Sequence, residues 1–486
     1  MSESALVGPK KTRLLDFSVF VGLAGLVAWL YRPALGYEFI NWDDPWYVLN
    51  NELIKNWSLT NLWSILSEPV ARNFAPLTIF SFLVDHTLWG ENAAGYHGLN
   101  VVLHMINGWL VYQLLTQLTG SRLVAIGTAA VFIAHPVQIE TVAWVSSRKG
   151  LLSAMFGLAS LICYLRPQTT GRQEFAALML FLAALLCKAI AIVIPPIVVA
   201  YHVLVWRRGF ADSVVRQIFP AFFASLLLLF TMSAQTTIVG GIRDHLEFSK
   251  TKILAIDAVI MWKYVATLFA PSNLCVLYDP PTEGISSTIR MAIIGWAVVA
   301  MVVVIARKKF PQTVFAGFCF VLLFVPVLNL FPLTTLMNDR YLYLPIIPFF
   351  AIVSATVVRL FQELVNRLPS IKSAQKRTAL AGSMAAVVMM AGTLVYAEKT
   401  QQYLPVWKNS LSLWSYATQQ TPTLPVTWIQ LAYTLESEGR LEEAISILEK
   451  TQAMDLDKHD RRRIGESLYQ WRAELAQKPN VQTQQL

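Results

Sequence analysis

KKTRLLDFSVFVGLAGLVAWL, residues 10–30, opens the first long apolar run of the chain with three basic residues and no helix breaker. A helix of about 20 apolar residues is what a bilayer core requires. The basic start resembles that of a signal peptide, but the run is long and no A-x-A cleavage pattern follows it. It therefore reads as a retained first helix whose start lies in the cytosol, and the orientation of everything downstream depends on that reading.

The remaining sequence repeats the pattern. Of 486 residues, 55% are hydrophobic and 14% charged, and the mean hydropathy is +0.50. The apolar runs are long and continuous, whereas barrel strands alternate in segments of about ten residues, so the expected class is an all-α polytopic membrane protein. Expected spans lie near 14–31, 97–118, 122–135, 150–165, 174–188, 189–206, 215–235, 288–306, 312–330, 341–361 and 378–397, about eleven helices in all.

Net charge is +9, but the excess falls in short loops and reports orientation rather than nucleic-acid binding. From a cytosolic start, Lys10, Lys11, Arg13, Arg122, Arg166, Arg172, Arg207, Arg208, Arg307–Lys309 and Lys372–Arg377 all fall on one side, as the positive-inside rule asks. Counting 252–270 as a further span would put Arg307–Lys309 outside, so that stretch is laid on the outer interface. Cys163, Cys187, Cys275 and Cys319 have no CxxC spacing, which argues against a disulfide framework or a zinc site.

Polar residues gather on the opposite, extracytosolic side. FINWDDPWYV, 39–48, places Asp43 and Asp44 among aromatics. Asp44 before Pro45 suits a helix N-cap, with Pro at the first helical position. Asp43 has no such structural role and is the candidate general base. NFAPLTIFSFLVDHTLWG, 73–90, reads as an amphipathic interfacial helix in which Asp85 carries no chemistry. In YHGLNVVLHMIN, 96–107, His97, Asn100, His104 and Asn107 share one helical face, which should meet protein rather than lipid. His104 suits helix–helix hydrogen bonding, and His97 lies nearest the outer surface.

HPVQIETVAWVSSRKGLLS, 135–153, breaks its helix at Pro136 and then sets Glu140, Arg148 and Lys149 on the outer side, against the charge rule. Uncompensated outer cations suit an anionic ligand such as a lipid phosphate; snorkelling to headgroups is the alternative, chiefly for Lys149. Lys188 and Lys263 fall on the same side, each able to meet phosphate, Glu140 or a headgroup, as do Tyr278 and Asp279. In NDRYLYLP, 338–345, Asp339, Arg340, Tyr341 and Tyr343 stand where a span re-enters the membrane. A guanidinium and tyrosine hydroxyls there would stabilise a departing phosphate; an aromatic interfacial belt also accounts for the tyrosines.

Composition turns polar near residue 398. WIQLAYTLESEGRLEEAISILEK, 428–450, reads as two helices broken at Gly439, with Leu431, Ala432, Ala444 and Leu448 on the packed face and Thr451 where a small Ala is usual. One tetratricopeptide unit cannot bury its own face, so helices near 408–420 and 460–476 should cap it. The expected division is a transmembrane catalytic domain, 1–397, with its first outer loop at 32–96, and an extracytosolic helical domain, 398–486.

FINWDDPWYV, YHGLNVVLHMIN, HPVQIETVAWVSSRKGLLS, WKYVATLFAPSNLCVLYDPP and NDRYLYLP, in this order and followed by a tetratricopeptide unit, resemble one family. It is the transmembrane and tetratricopeptide-repeat-containing (TMTC) group with its bacterial relatives, among the GT-C glycosyltransferases. The resemblance implies a GT-C fold and an inverting transfer of a sugar, with mannose expected, from a polyprenyl or dolichyl phosphate to Ser or Thr of a protein. The reaction side would be the bacterial periplasm, or the endoplasmic reticulum lumen in a eukaryote, with the acceptor docked by the tetratricopeptide-like domain.

The family's acidic motif falls on Asp43 and Asp44, its HP segment on His135 to Lys149, and its RYLYLP signature on Arg340 to Pro345. The implied site has Asp43 and Asp44 at the reacting centre; Arg148, Lys149, Arg340, Tyr341, Tyr343, Lys188 and Lys263 at the donor phosphate; and His97, His135, Glu140, Asp279 and Asp339 as lining. A divalent cation, Mg or Mn, has a place at the acidic motif, although no cofactor is required. The chain departs from the pattern at Gly150, where relatives often carry an acidic residue, at CKA in place of SKE or AKP, and in its short tail. A glycan, lipid or pilin acceptor and a non-catalytic scaffold stay open as alternatives. Ionisable residues clustered at one face instead of the midplane argue against a transporter.

Overall fold

A computed structural model describes residues 9–71, 73–166, 170–238, 248–329, 335–368, 371–456 and 458–477. Among these residues the regular structure is helical, apart from one isolated bridge between Val70 and Asn73. The first helix, α1 (Pro9–Tyr31), is followed by a loop that carries α2 (Leu59–Ser67) and α3 (Pro76–Trp89). Then come α4 (Ala93–Thr119), α5 (Arg122–Ala134), α6 (Ile139–Ala143), α7 (Arg148–Tyr164), α8 (Gly171–Cys187) and α9 (Ile194–Leu204). The short α10 (Phe210–Val215) leads to α11 (Ile218–Ile238), α12 (Lys250–Phe269), α13 (Ser286–Ala306), α14 (Pro311–Phe324), α15 (Ile346–Asn366) and α16 (Ala374–Tyr403). Finally α17 (Ser410–Gln420), α18 (Pro425–Ser437), α19 (Leu441–Thr451) and α20 (Lys458–Gln477) complete the described chain.

Each expected span coincides with a helix, with ends shifted by a few residues; residue 330, the end of one expected span, lies outside the described residues. Among the described residues four stretches are long and apolar enough to cross a bilayer, Arg13–Gly36, Ser286–Ala306, Ile346–Asn366 and Ala374–Trp407, and the bent pair formed by α5 and Pro136–Ala143 makes a fifth, fewer than the eleven expected. On α13, Met291, Ile294, Met301, Val302 and Ile305 are all exposed, an apolar surface that only lipid covers without cost. The chain is an integral membrane protein. The stretch expected on the interface is α12, which buries Ile253, Ile256, Ile260, Tyr264 and Leu268 on one stripe and meets α13 through Trp262 and Trp296, 4.6 Å apart.

The 57° bend after α5 has a local cause. Pro136 has no amide hydrogen to continue the helix, and His135 adopts an extended conformation in which its ring Nδ1 accepts from Val137 N at 3.3 Å. The segment that follows, 135–148, is buried throughout. The polar stripe of α4 fastens it: Asn100 Nδ2 donates to Trp144 O at 3.1 Å, and Asn107 Nδ2 donates to Leu151 O at 3.0 Å. Close contact of α4 with α5 depends on Gly108, where an added Cβ would meet Ile133 Cδ1 at 2.6 Å.

At the C-terminal end, α18 and α19 pair through a turn at Gly439, whose φ of +78° suits glycine. Leu431, Ala432, Ala444 and Leu448 are buried there, with α17 packed on α18 and α20 on α19. This unit sits on the loop that carries the acidic pair: Glu38 N donates to Lys408 O at 2.9 Å, Asn41 N to Ser410 Oγ at 2.7 Å, and Trp42 lies 5.2 Å from Trp414.

Candidate functional site

The acidic pair lies in the loop after α1, where Pro45 begins one short helical turn, 45–49. The expected N-cap bond of Asp44 is not formed. Trp46 N and Tyr47 N are already taken by the Asp43 carbonyl, at 3.0 and 3.1 Å, so the Asp44 carboxylate turns inward. There Oδ2 accepts from Ile40 N at 2.8 Å and Oδ1 from Ser146 N at 2.9 Å and from the Ser146 hydroxyl. Burial pushes the Asp44 carboxyl up to about 6, against hydrogen bonds from Ser146 and Ile40 that favour the anion. Asp44 thus ties the first loop to the buried segment before α7.

Asp43 points the other way. Its side chain is 32% exposed, and Oδ2 lies 3.6 Å from Nζ of Lys149, which is 12% exposed. Lys149 Nζ also donates to Tyr47 Oη at 3.2 Å and stands 4.7 Å from the centre of that ring. Arg340, 16% exposed, donates from Nη1 to Glu140, and its backbone N donates to Glu140 Oε2 at 2.8 Å. Its guanidinium lies over Trp144 at 5.5 Å and over Tyr341 at 5.4 Å. Lys188, at the non-helical joint after α8, is within electrostatic reach of Lys149, Arg340 and Glu140, and Arg340 is within reach of Asp43. Lys149, Lys188 and Arg340 therefore form one cluster with two carboxylates, Asp43 and Glu140, in which burial and the neighbouring cations lower the Lys188 amine to about 7.

The structure places other expected site residues elsewhere. Arg148 has no exposed side-chain surface: Nη1 donates to Asp85 Oδ2, Nε to Asn100 Oδ1 at 2.9 Å and Nη2 to Tyr96 O at 2.8 Å, with the Phe82 ring 4.6 Å away. Its charge is compensated inside the protein, which corrects the expected phosphate role of Arg148 and gives Asp85, expected to carry no chemistry, a structural partner. Tyr343 is likewise inside the bundle, its hydroxyl 3.0 Å from His104 Nδ1 and accepting from Asn107 Nδ2 at 3.0 Å. The turn before α15 directs it toward α4 and away from the surface cluster.

His97 is buried with Nε2 3.4 Å from Glu38 O, and His135 is buried with Nε2 3.0 Å from Leu268 O; both hold backbone together and neither reaches the cluster with its ring. Asp279 accepts from Thr423 Oγ1 at 2.7 Å and so ties the loop after α12 to the C-terminal helices. Lys263 feels the charge of Asp279. Tyr341 is buried with its hydroxyl 3.5 Å from Thr335 Oγ1, beneath Arg340. Asp339 accepts from Tyr278 Oη at 2.6 Å, and burial, then Glu140, push its carboxyl well above the usual carboxylate range. Among the described residues no three His, Cys, Asp or Glu side chains gather to hold a metal ion. Both Asp44 oxygens already accept hydrogen bonds, so the acidic motif offers a metal the Asp43 carboxylate alone.

Below the cluster an apolar cavity of about 290 Å³ runs along α7 between α9, α14 and α15. Its walls include Leu158, Ile194, Ile197, Phe315 and Leu323. Its upper end comes near the cations along the chain: Ser153, in the wall, lies one turn after Lys149 and donates to Lys188 O at 3.4 Å, and the wall residues Ala191 and Leu344 stand three and four residues after Lys188 and Arg340. Sequence reading missed this cavity, the Arg148–Asp85 pair and the Tyr47 contact. The one local signal was a carboxylate, Asp85, in an otherwise apolar helix.

No family profile matches the chain. Its sequence is 24% identical over 438 residues to a protein O-mannosyl-transferase of Caenorhabditis elegans, covering 85% of this chain and 59% of that one. It is 22% identical over 481 residues to protein O-mannosyl-transferase TMTC3 of Mus musculus, covering 89% of this chain and 50% of that one. The chain is a relative of the TMTC proteins. It spans about half to three-fifths of the length of these relatives. Among solved structures, this TMTC relative is similar to the Archaeoglobus fulgidus oligosaccharyltransferase crystallised with a tethered acceptor peptide. The identity is 11%, the coverage 80% of this chain and 55% of that one, and the TM-score 0.47.

Proposed function

We propose that this chain is a GT-C glycosyltransferase that moves a sugar from a polyprenyl-phosphate donor to a protein hydroxyl on the membrane face that holds Asp43. The observation that carries this reading is the nearness of the cation cluster to the apolar cavity, whose wall includes Ser153, one turn from Lys149 and hydrogen-bonded to Lys188 O. An amphiphile with a phosphate head and an isoprenoid chain matches both at once: the phosphate at Lys149, Lys188 and Arg340, the chain along α7. Mannose and a Ser or Thr acceptor are proposed on the strength of the relatives' names. The positive-inside pattern supports a position of this face outside the cytosol.

In the reaction, Asp43 takes the proton of the acceptor hydroxyl as that oxygen bonds to the anomeric carbon from the side opposite the phosphate. The bond from the anomeric carbon to the phosphate oxygen breaks, the configuration inverts, and the polyprenyl phosphate leaves with one more negative charge. Lys149, Lys188 and Arg340 meet that charge in a partly desolvated site, where it counts most. Glu140 holds the Arg340 guanidinium and backbone in place through two hydrogen bonds, which makes it a positioning residue. In this reading the C-terminal helices present the acceptor, which is supported by the hydrogen bonds that tie Ser410 and Lys408 to the acidic loop.

The test is transfer of labelled mannose from polyprenyl phosphate to extracytosolic proteins by the purified full chain, with Asp43→Asn alongside. Label from the wild type alone is the expected result. An equal rate from Asp43→Asn would overturn the assignment of the base.

A further inference from the structure

The ends of α7, α8 and α9 opposite Asp43 carry a second polar site, independent of the proposed transfer. Lys149 and Tyr164 stand near the two ends of α7, about 22 Å apart at the helical rise. At the Tyr164 end, Glu174 and Phe175 of α8, His202 of α9, Trp206 and Gln217 surround a cavity of about 270 Å³.

Two side chains in its wall are buried without complete partners. His202 Nδ1 and Gln217 Oε1 have no hydrogen bond, and each residue is only 5% exposed. Buried polar groups are normally satisfied, so these mark a place for a ligand atom. Two guanidinium groups flank them. Arg207 takes a φ of +55°, and the turn it makes sets Arg208 4.5 Å from the centre of the Trp206 ring, a ring that also stacks on His202 at 4.8 Å. Arg216 reaches Asp212 at 3.4 Å and Glu174 at 4.0 Å. Arg208 has no carboxylate within ion-pair distance among the described residues. The rim is apolar: Phe175 and Phe219, both in the cavity wall, are exposed.

We propose that this cavity binds the phosphate of an anionic membrane lipid. Arg208, Arg216 and His202 Nδ1–H meet the phosphate oxygens, Gln217 Oε1 accepts from a headgroup hydroxyl, and the acyl chains lie along Phe175 and Phe219. A free phosphate would meet the same donors; the apolar rim is what favours a lipid. In the positive-inside reading this site faces the cytosolic leaflet.

The experiment is native mass spectrometry of the full chain in detergent with phosphatidylglycerol or phosphatidylcholine, comparing wild type with Arg208→Gln/Arg216→Gln. The wild type should retain phosphatidylglycerol about tenfold better than phosphatidylcholine, and the double variant should lose that preference. Equal retention of phosphatidylglycerol by both proteins overturns the proposal. In a second arm without lipid, inorganic phosphate is titrated; binding by the wild type alone, with no preference for phosphatidylglycerol, overturns the lipid source while keeping the phosphate chemistry. Gln217→Leu keeps both arginines and should weaken retention about threefold, which provides a test if the double variant does not fold; unchanged retention in that variant also counts against the site.

Discussion

Two pairs of like-charged neighbours, Asp43–Asp44 and Arg148–Lys149, are divided by the fold in the same way. Asp44 and Arg148 turn into the protein, where Ser146, Ile40, Asp85, Asn100 and Tyr96 satisfy them. Asp43 and Lys149 turn toward the surface, meet at 3.6 Å, and keep part of their side chains accessible. A sealed charge must be fully partnered because solvent cannot compensate it. An open pair is held loosely enough to exchange its partner for a substrate, which is what a base and a phosphate ligand require. The same two residue types thus serve as structure in one layer and as candidate chemistry in the next.

The sharpest way to break this comparison is to neutralise the open carboxylate. Asp43→Asn should reduce transfer roughly 10²- to 10⁴-fold, the span of general-base contributions, while the unfolding transition stays in place. Loss of a partly exposed ion pair costs no more than about 1 kcal/mol. Rates from purified protein and a thermal melt check the two halves.

The sealed layer should respond in the opposite manner. Asp85→Ala leaves the Arg148 guanidinium buried without a counter-charge and should cost about 3–5 kcal/mol of stability. Arg148→Met combined with Asp85→Leu should recover much of that loss. If unfolding in detergent shows Asp85→Ala to be as mild as Asp43→Asn, the distinction between the layers fails.

Asp44 provides a pH test of sealing. Its folded carboxyl at about 6 lies above the unfolded value near 3.8, so the native state binds the extra proton between those values. The stabilisation is complete below the unfolded value and is lost as pH rises through about 6, by roughly 3 kcal/mol across the window. Asp44→Asn should remove that slope, seen as the difference between the unfolding–pH curves of variant and wild type.

The smallest effect is expected at the open cation. Lys149→Gln should raise the KM for the lipid donor about tenfold, with Lys149→Arg retaining most of the affinity. A change confined to kcat would assign Lys149 to orienting Asp43, in place of holding phosphate.

What the sequence determined by itself is local. The apolar runs gave the helices, Pro136 gave the bend after α5, and Gly439 gave the turn between α18 and α19, because hydropathy and backbone restriction act within a few residues. That Asp43 and Asp44 divide their roles was also readable, since adjacent residues project in different directions. The inward turn of Asp44, in place of the expected N-cap, was not, because its partner is Ser146, 102 residues away. Only the tertiary structure decided which charges are sealed: Arg148 meets Asp85 across 63 residues, and Tyr343 meets His104 across 239. Likewise the apolar cavity exists only where α7, α9, α14 and α15 come together. Partner choice among buried polar groups depends on which helix ends the packed bundle brings side by side, and no local pattern of residues encodes that.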